Sequence, residues 1–149
     1  IFSHFVDKHG VLLYDLLSKY KKSDELFVIN GTVHTDIRGE IKRIVEKSEN
    51  AVVVVSYGAF GMGESVTRIH NIVKATAYKG RVETLQSLGR GTRRDTGDKQ
   101  LCNIWDFADD LRGDQKAFVN YGIRHLKERM KIYYEAKLPV KQIKVLLDG

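Results

Sequence analysis

Ala51-Val52-Val53-Val54-Val55-Ser56-Tyr57, followed at once by Gly58-Ala59-Phe60-Gly61-Met62-Gly63-Glu64-Ser65, is the stretch on which the reading of this chain turns. A run of β-branched residues with no polar alternation suits a strand covered on both faces, and such strands belong to parallel sheets. The run is therefore read as a central strand over residues 51–57. Glycines let backbone approach a ligand closely and turn its amides toward an anion, so 58–65 reads as a binding loop. The alternative is a tight connection to the next strand.

Outward from this strand, apolar runs alternate with segments of helical period. Residues 1–6 read as a strand. Leu13, Leu16, Leu17 and Tyr20 predict a helix over 9–21 with one buried stripe. Residues 26–30 form the next strand, and after Gly31-Thr32-Val33-His34 comes Thr35 as N-cap of a helix whose apolar face is Ile37, Ile41, Ile44 and Val45. A strand over 72–77, a helix over 81–89 and a strand over 101–107 follow, the last beyond the polar turn Asp95-Thr96-Gly97-Asp98. Val119, Ile123, Leu126, Met130 and Tyr133 predict a long helix over 115–137, ended by Pro139, with 140–147 as a final edge strand. Strand and helix in alternation imply parallel strands joined by right-handed crossovers. The fold class is thus a three-layer α/β domain, its mostly parallel sheet flanked by helices.

The 149 residues suit one domain, and a net charge of +6 favours phosphate-bearing partners without identifying one. The single cysteine, Cys102, excludes an intrachain disulfide and fits a reducing, intracellular and hence cytoplasmic compartment. No apolar run approaches the roughly 20 residues that span a bilayer, so no membrane partner is expected. The amino end has neither a basic leader nor an initiator methionine and reads as the start of an excised piece. Five histidines scattered without ligand spacing predict no metal site.

Gln86-Ser87-Leu88-Gly89-Arg90-Gly91-Thr92-Arg93 sits where a helical segment meets glycines. Arg90 and Arg93, three residues apart, return nearly to one helix face, and each guanidinium is a permanently charged fork suited to phosphate. The plain alternative is two solvated arginines. In an open parallel sheet ligands bind beyond the carboxyl ends of the strands, and both glycine clusters are expected at that edge or on the helix that follows it. No dinucleotide fingerprint and no G-x-x-x-x-G-K-[ST] phosphate loop is present. A domain with phosphate-directed arginines but no cradle of its own does not hydrolyse a nucleotide alone.

In order and spacing these motifs resemble the second RecA-like domain of superfamily 2 helicases and translocases, over essentially the whole chain. Residues 56–65 look like motif V, their Ala-Phe-Gly-Met-Gly core similar to RecQ-type helicases; residues 86–93 look like motif VI, Gln-x-x-Gly-Arg-x-x-Arg, about 20 residues on. Val55-Ser56-Tyr57-Gly58-Ala59-Phe60, Leu85-Gln86-Ser87-Leu88-Gly89-Arg90 and Ile104-Trp105-Asp106-Phe107-Ala108-Asp109-Asp110 resemble the phage UvsW-type recombination and repair helicases. The resemblance implies a split site in which an amino-terminal RecA-like domain, absent here, grips ATP and its Mg2+. Arg90 and Arg93 would then reach the γ-phosphate across the cleft, one of them as an arginine finger, Gln86 would sense the nucleotide, and Gly63, Glu64 and Ser65 would lie beside the ribose. Two positions depart from the family: Ser65 stands where Asp or Asn is frequent, and Ser87 where a related subgroup has arginine.

By the same resemblance DNA, single-stranded or branched, would cross the domain at His9, Gly31, Thr32, Ser56 and Tyr57. Each has a plainer reading: Thr32 and Thr35 as caps, Tyr57 as core, His9 as surface. The implied activity is that of an ATP-dependent DNA helicase in recombination, repair or fork remodelling, in the host cytoplasm if phage-encoded. The rivals are a non-catalytic nucleic-acid-binding α/β module and an RNA helicase. Asp106, Asp109 and Asp110 read either as a carboxylate cluster or as a strand end orienting Arg90 or Arg93. Lys116, Arg124, Lys127, Arg129 and Lys131 read as a solvated basic face or a duplex contact, and Trp105 reads as core.

Overall fold

The computed structural model describes residues 1–3, 9–20, 25–61, 66, 69–76, 79–91, 102–110 and 120–146. Five strands, β1 (Phe2–Ser3), β2 (Leu26–Ile29), β3 (Val52–Ser56), β4 (Asn71–Lys74) and β5 (Asn103–Asp106), form one sheet in the order β2-β3-β1-β4-β5, with every pairing parallel. Helices α1 (Val11–Tyr20), α2 (Thr35–Lys47), α3 (Tyr57–Gly61), α4 (Arg81–Gly91) and α5 (Tyr121–Glu135) join or follow them. The step from β1 to β2 runs in the opposite direction across the sheet from those that follow. Right-handed crossovers therefore put α1 on one face and α2 and α4 on the other, giving three layers.

Register explains where the core sits. Ile29 pairs with Val55, Val55 with Phe2, Phe2 with Lys74, and Lys74 with Asp106, so one inward row crosses all five strands. Its first three members join Ala59 and Ile72 in the buried core; its last two are charged. A second buried cluster, Leu88, Ile132 and Tyr133, joins α4 to α5.

Several boundaries differ from the sequence reading. The opening strand is described as Phe2–Ser3, residues 4–8 lying outside the described residues. Tyr57 does not finish β3 but starts α3, because the Ser56 Oγ accepts a hydrogen bond from the Ala59 amide at 3.1 Å and caps the turn. The N-cap of α2 is His34, whose Nδ1 accepts from the Asp36 amide, with Thr35 already helical. Its predicted apolar face holds only in part: Ile37 and Ile44 are exposed and Arg38 is buried.

The stripe of α1 also faces two ways, Leu16 being 50 % and Tyr20 78 % exposed. The strand predicted over 72–77 ends at Lys74, and Cys102 precedes β5. α5 starts at Tyr121, capped by Asn120, with 111–119 outside the described residues. It ends not at Pro139 but through Lys137, in left-handed backbone (φ 54), where the Leu138 amide returns to the Tyr133 carbonyl. Of the edge strand predicted over 140–147, the described residues 140–146 form no strand and pair with none of the described strands, since apolar residues without a partner edge do not make a ladder.

Candidate functional site

At the carboxyl ends of the strands, each loop carries polar groups with defined partners. After β2, the Asn30 Oδ1 accepts from the Thr32 amide at 3.1 Å and from its hydroxyl at 2.7 Å, closing a turn that leaves Gly31 and Thr32 exposed. Beneath it the buried Arg38 donates from Nη2 to the Gly31 carbonyl at 3.0 Å and the Asn30 carbonyl at 3.3 Å. His9 is exposed just ahead of α1, which follows β1 and so starts on the same rim.

Ser56 and Tyr57 share this rim, yet the Ser56 oxygen is engaged as the cap of α3. Tyr57 stacks on Phe2, with centroids 5.0 Å apart, and buries its hydroxyl. Burial and the neighbouring Asp106 charge push that phenol up to about 12, the Arg129 charge pulling the other way. The expectation that the Tyr57 hydroxyl meets nucleic acid is therefore corrected: it belongs to the interior. Gly63, Glu64, Ser65 and Arg93 lie outside the described residues.

Gln86 and Arg90, four residues apart on α4, share one outward face, Gln86 exposed and Arg90 half-buried. Thr84, Ser87, Leu88 and Gly91 form the inward face. Because α4 follows β4 and returns to precede β5, its arginine end lies at the amino ends of the strands. A Cβ on Gly91 would sit 3.1 Å from the Cys102 Sγ and 3.3 Å from Ile72, so the glycine lets this end lie directly on the sheet. Of the described residues in these two stretches, Ser56 and Arg90 thus lie at opposite ends of the strands.

The sequence reading missed the charged group under the carboxyl rim. Arg129 of α5 donates from Nε and Nη2 to the two Asp106 oxygens, each at 2.7 Å, and the Tyr133 hydroxyl donates to the same carboxylate. Lys74 donates to the Thr84 Oγ1 at 3.0 Å, its Nζ 6.0 Å from the Tyr133 ring centroid. Burial lowers the Lys74 ammonium from 10.5 to about 8, an effect the Asp106 charge opposes and the Arg129 charge reinforces. Burial also works against the Arg129 charge, but the Asp106 hydrogen bond and charge outweigh it and leave the guanidinium above its usual value. Burial first, then Asp106, pushes the Tyr133 phenol up.

Asp106 therefore orients Arg129, not Arg90. Asp110, with the Asp109 carbonyl, accepts from the Asn120 Nδ2 and anchors the start of α5, so the three aspartates do not form a catalytic group. The basic face of α5 is not wholly solvated, since Arg129 is buried. Trp105 is not core; it is 48 % exposed and donates to the Asn71 Oδ1 at 3.1 Å. A lysine and an aspartate each ending an inward strand row were the available signal, readable only once β4 and β5 are known to pair. Among the described residues, no group of three or more His, Cys, Asp or Glu is placed to hold a metal ion.

No family model matches the chain. It is 30% identical over 137 residues to the ATP-dependent DNA helicase UvsW of Enterobacteria phage T4, an alignment covering 87% of this chain and 27% of that protein. The crystal structure of T4 UvsW matches with a TM-score of 0.69 at 29% identity, over 92% of this chain and 28% of that one. The C-terminal part of the Fun30 ATPase domain matches at a TM-score of 0.57 and 14% identity, over 90% and 47%, a likeness of fold alone. The chain spans about a quarter of the length of the curated helicase it matches. Along nearly all of its own length the chain is similar in sequence and fold to part of the UvsW helicase, a likeness that supports a RecA-like helicase carboxyl-terminal domain.

Proposed function

We propose that this chain is the second motor domain of an ATP-dependent DNA helicase or translocase acting in recombination, repair or fork remodelling. A first RecA-like domain holds ATP and its Mg2+, and this one closes over the phosphate tail. The single observation that carries the reading is that Gln86 and Arg90 share one outward face of α4, whose Arg90 end lies opposite Gly31, Thr32 and Ser56. Within this chain those residues fit a nucleotide from outside only, as a cap supplied by a neighbouring domain.

Bound ATP supplies the phosphoryl group, and Arg90, with Arg93, stabilises the charge that develops on it. Gly63, Glu64 and Ser65 follow the capped first turn of α3 and serve the ribose. At the carboxyl rim, His9, Gly31, Thr32 and the backbone at Ser56 meet DNA phosphates, single-stranded or branched, with little sequence preference. The compartment is the cytoplasm, that of the host if the chain is phage-encoded.

The test is Arg90→Ala in the protein carrying this domain together with its ATP-binding partner domain. DNA-stimulated hydrolysis should fall by about 10³- to 10⁵-fold. Hydrolysis at the parent rate would overturn the reading.

A further inference from the structure

Lys74 is 1 % exposed, and an ammonium carries three donors. Among the described residues its hydrogen-bond partner is Thr84, one neutral hydroxyl. Its register partner Asp106 is the obvious carboxylate, yet both Asp106 oxygens are held by Arg129 and Tyr133. Among the described residues, the charged groups acting on Lys74 are Asp106 on β5, Arg129 on α5 and Glu83 on α4, with the neutral Tyr133 ring of α5 beside it. Two buried cations share one carboxylate, an arrangement that well-packed apolar side chains would improve upon thermodynamically.

Such a local defect is expected where function needs it. The Lys74 bond fixes α4 along the sheet at Thr84, and the bare Gly91 backbone fixes it again against Cys102 and Ile72. Arg90 lies six residues, or about 9 Å of helix, beyond Thr84. We propose that Lys74 is a positioning residue: through Thr84 it sets where α4 lies on the sheet, and thereby where Arg90 is presented. This inference rests on the function proposed for Arg90 and extends it to a residue that touches no ligand.

The test uses the protein with its ATP-binding partner domain and compares Lys74→Met, Thr84→Val and Arg90→Ala. Turnover and KM for ATP are measured from pH 6.5 to 9.5, with thermal melts alongside. Lys74→Met should melt no lower than the parent and still turn over about 10- to 100-fold more slowly, the penalty for a small misplacement of a reacting group. Thr84→Val should lose turnover in the same direction, and it decides the matter if Lys74→Met does not fold. The parent should also lose turnover as pH rises through about 8, a dependence that Lys74→Met lacks. A merely structural lysine would move the melt and not the pH profile. Parent-like turnover and pH profile in both Lys74→Met and Thr84→Val, with Arg90→Ala inactive, would sink this inference alone. An active Arg90→Ala would remove the proposed function and this inference with it.

Discussion

Arg129 grips Asp106 with two parallel hydrogen bonds of 2.7 Å, its guanidinium wholly buried and the carboxylate nearly so. The pair ties α5 to the carboxyl end of β5, at the last member of the inward row, beyond the change from apolar Phe2 to charged Lys74. Paired arginine and carboxylate are tolerable in an interior; either one alone is not.

Arg129→Met leaves the Asp106 carboxylate buried with the Tyr133 hydroxyl as its remaining partner at this point. The loss should be about 3–5 kcal/mol in urea denaturation of the chain. Adding Asp106→Leu should restore most of it, because the second change removes the stranded charge.

Lys74 is held at about 8, below its ordinary 10.5, so between those pH values the unfolded chain binds a proton that the folded chain has released. Stability therefore rises from pH 8 toward 10.5, by up to about 3 kcal/mol at about 1.4 kcal/mol per unit. Thermal melts at pH 7.5 and 10 should show this rise in the parent relative to Lys74→Met.

Gly91→Ala places a methyl 3.1 Å from the Cys102 Sγ and should destabilise the domain by about 1–3 kcal/mol. Gly89→Ala, whose Cβ meets nothing within 4 Å, should instead stabilise it by about 0.5–1 kcal/mol through helix propensity. Melting the two variants side by side separates close packing from backbone freedom, and Cys102→Ala should relieve the first.

Arg38→Met removes the donors beneath the Asn30-Gly31 carbonyls without touching the exposed surface of the turn. Affinity for single-stranded DNA should drop by about five- to tenfold, equivalent to about 1–1.4 kcal/mol. The slope of affinity against salt should stay unchanged, because Arg38 shapes the turn and neutralises no phosphate. Fluorescence titrations at several salt concentrations read both quantities.

The strands and helices were legible because their signal is local. Four consecutive valines mark β3, and the 3.6-residue period marks α2 and α5. Capping was less legible: His34 stands beside Thr35, and only backbone geometry decides which residue closes the helix. Residues 140–146 have strand composition but form no strand among the described residues, because a ladder needs a neighbouring edge. In the candidate site, Arg90 could be named from its three-residue spacing to Arg93, and Gln86 from the resemblance of 86–93 to a helicase motif. The Tyr57 hydroxyl could not be placed, since a hydroxyl ending an apolar strand turns inward or outward according to what caps the next turn.

By itself the sequence determined the alternating α/β order, the parallel sheet and the helix that carries Gln86 and Arg90, because periodicity and glycine placement act over a few residues. Tertiary structure alone decided that Lys74 and Asp106 lie side by side and that Arg129, from a helix 23 residues further along, takes the carboxylate. Strand order and register bring distant charges into one low-dielectric space, and there a residue's neighbours, more than its type, fix its protonation and its role.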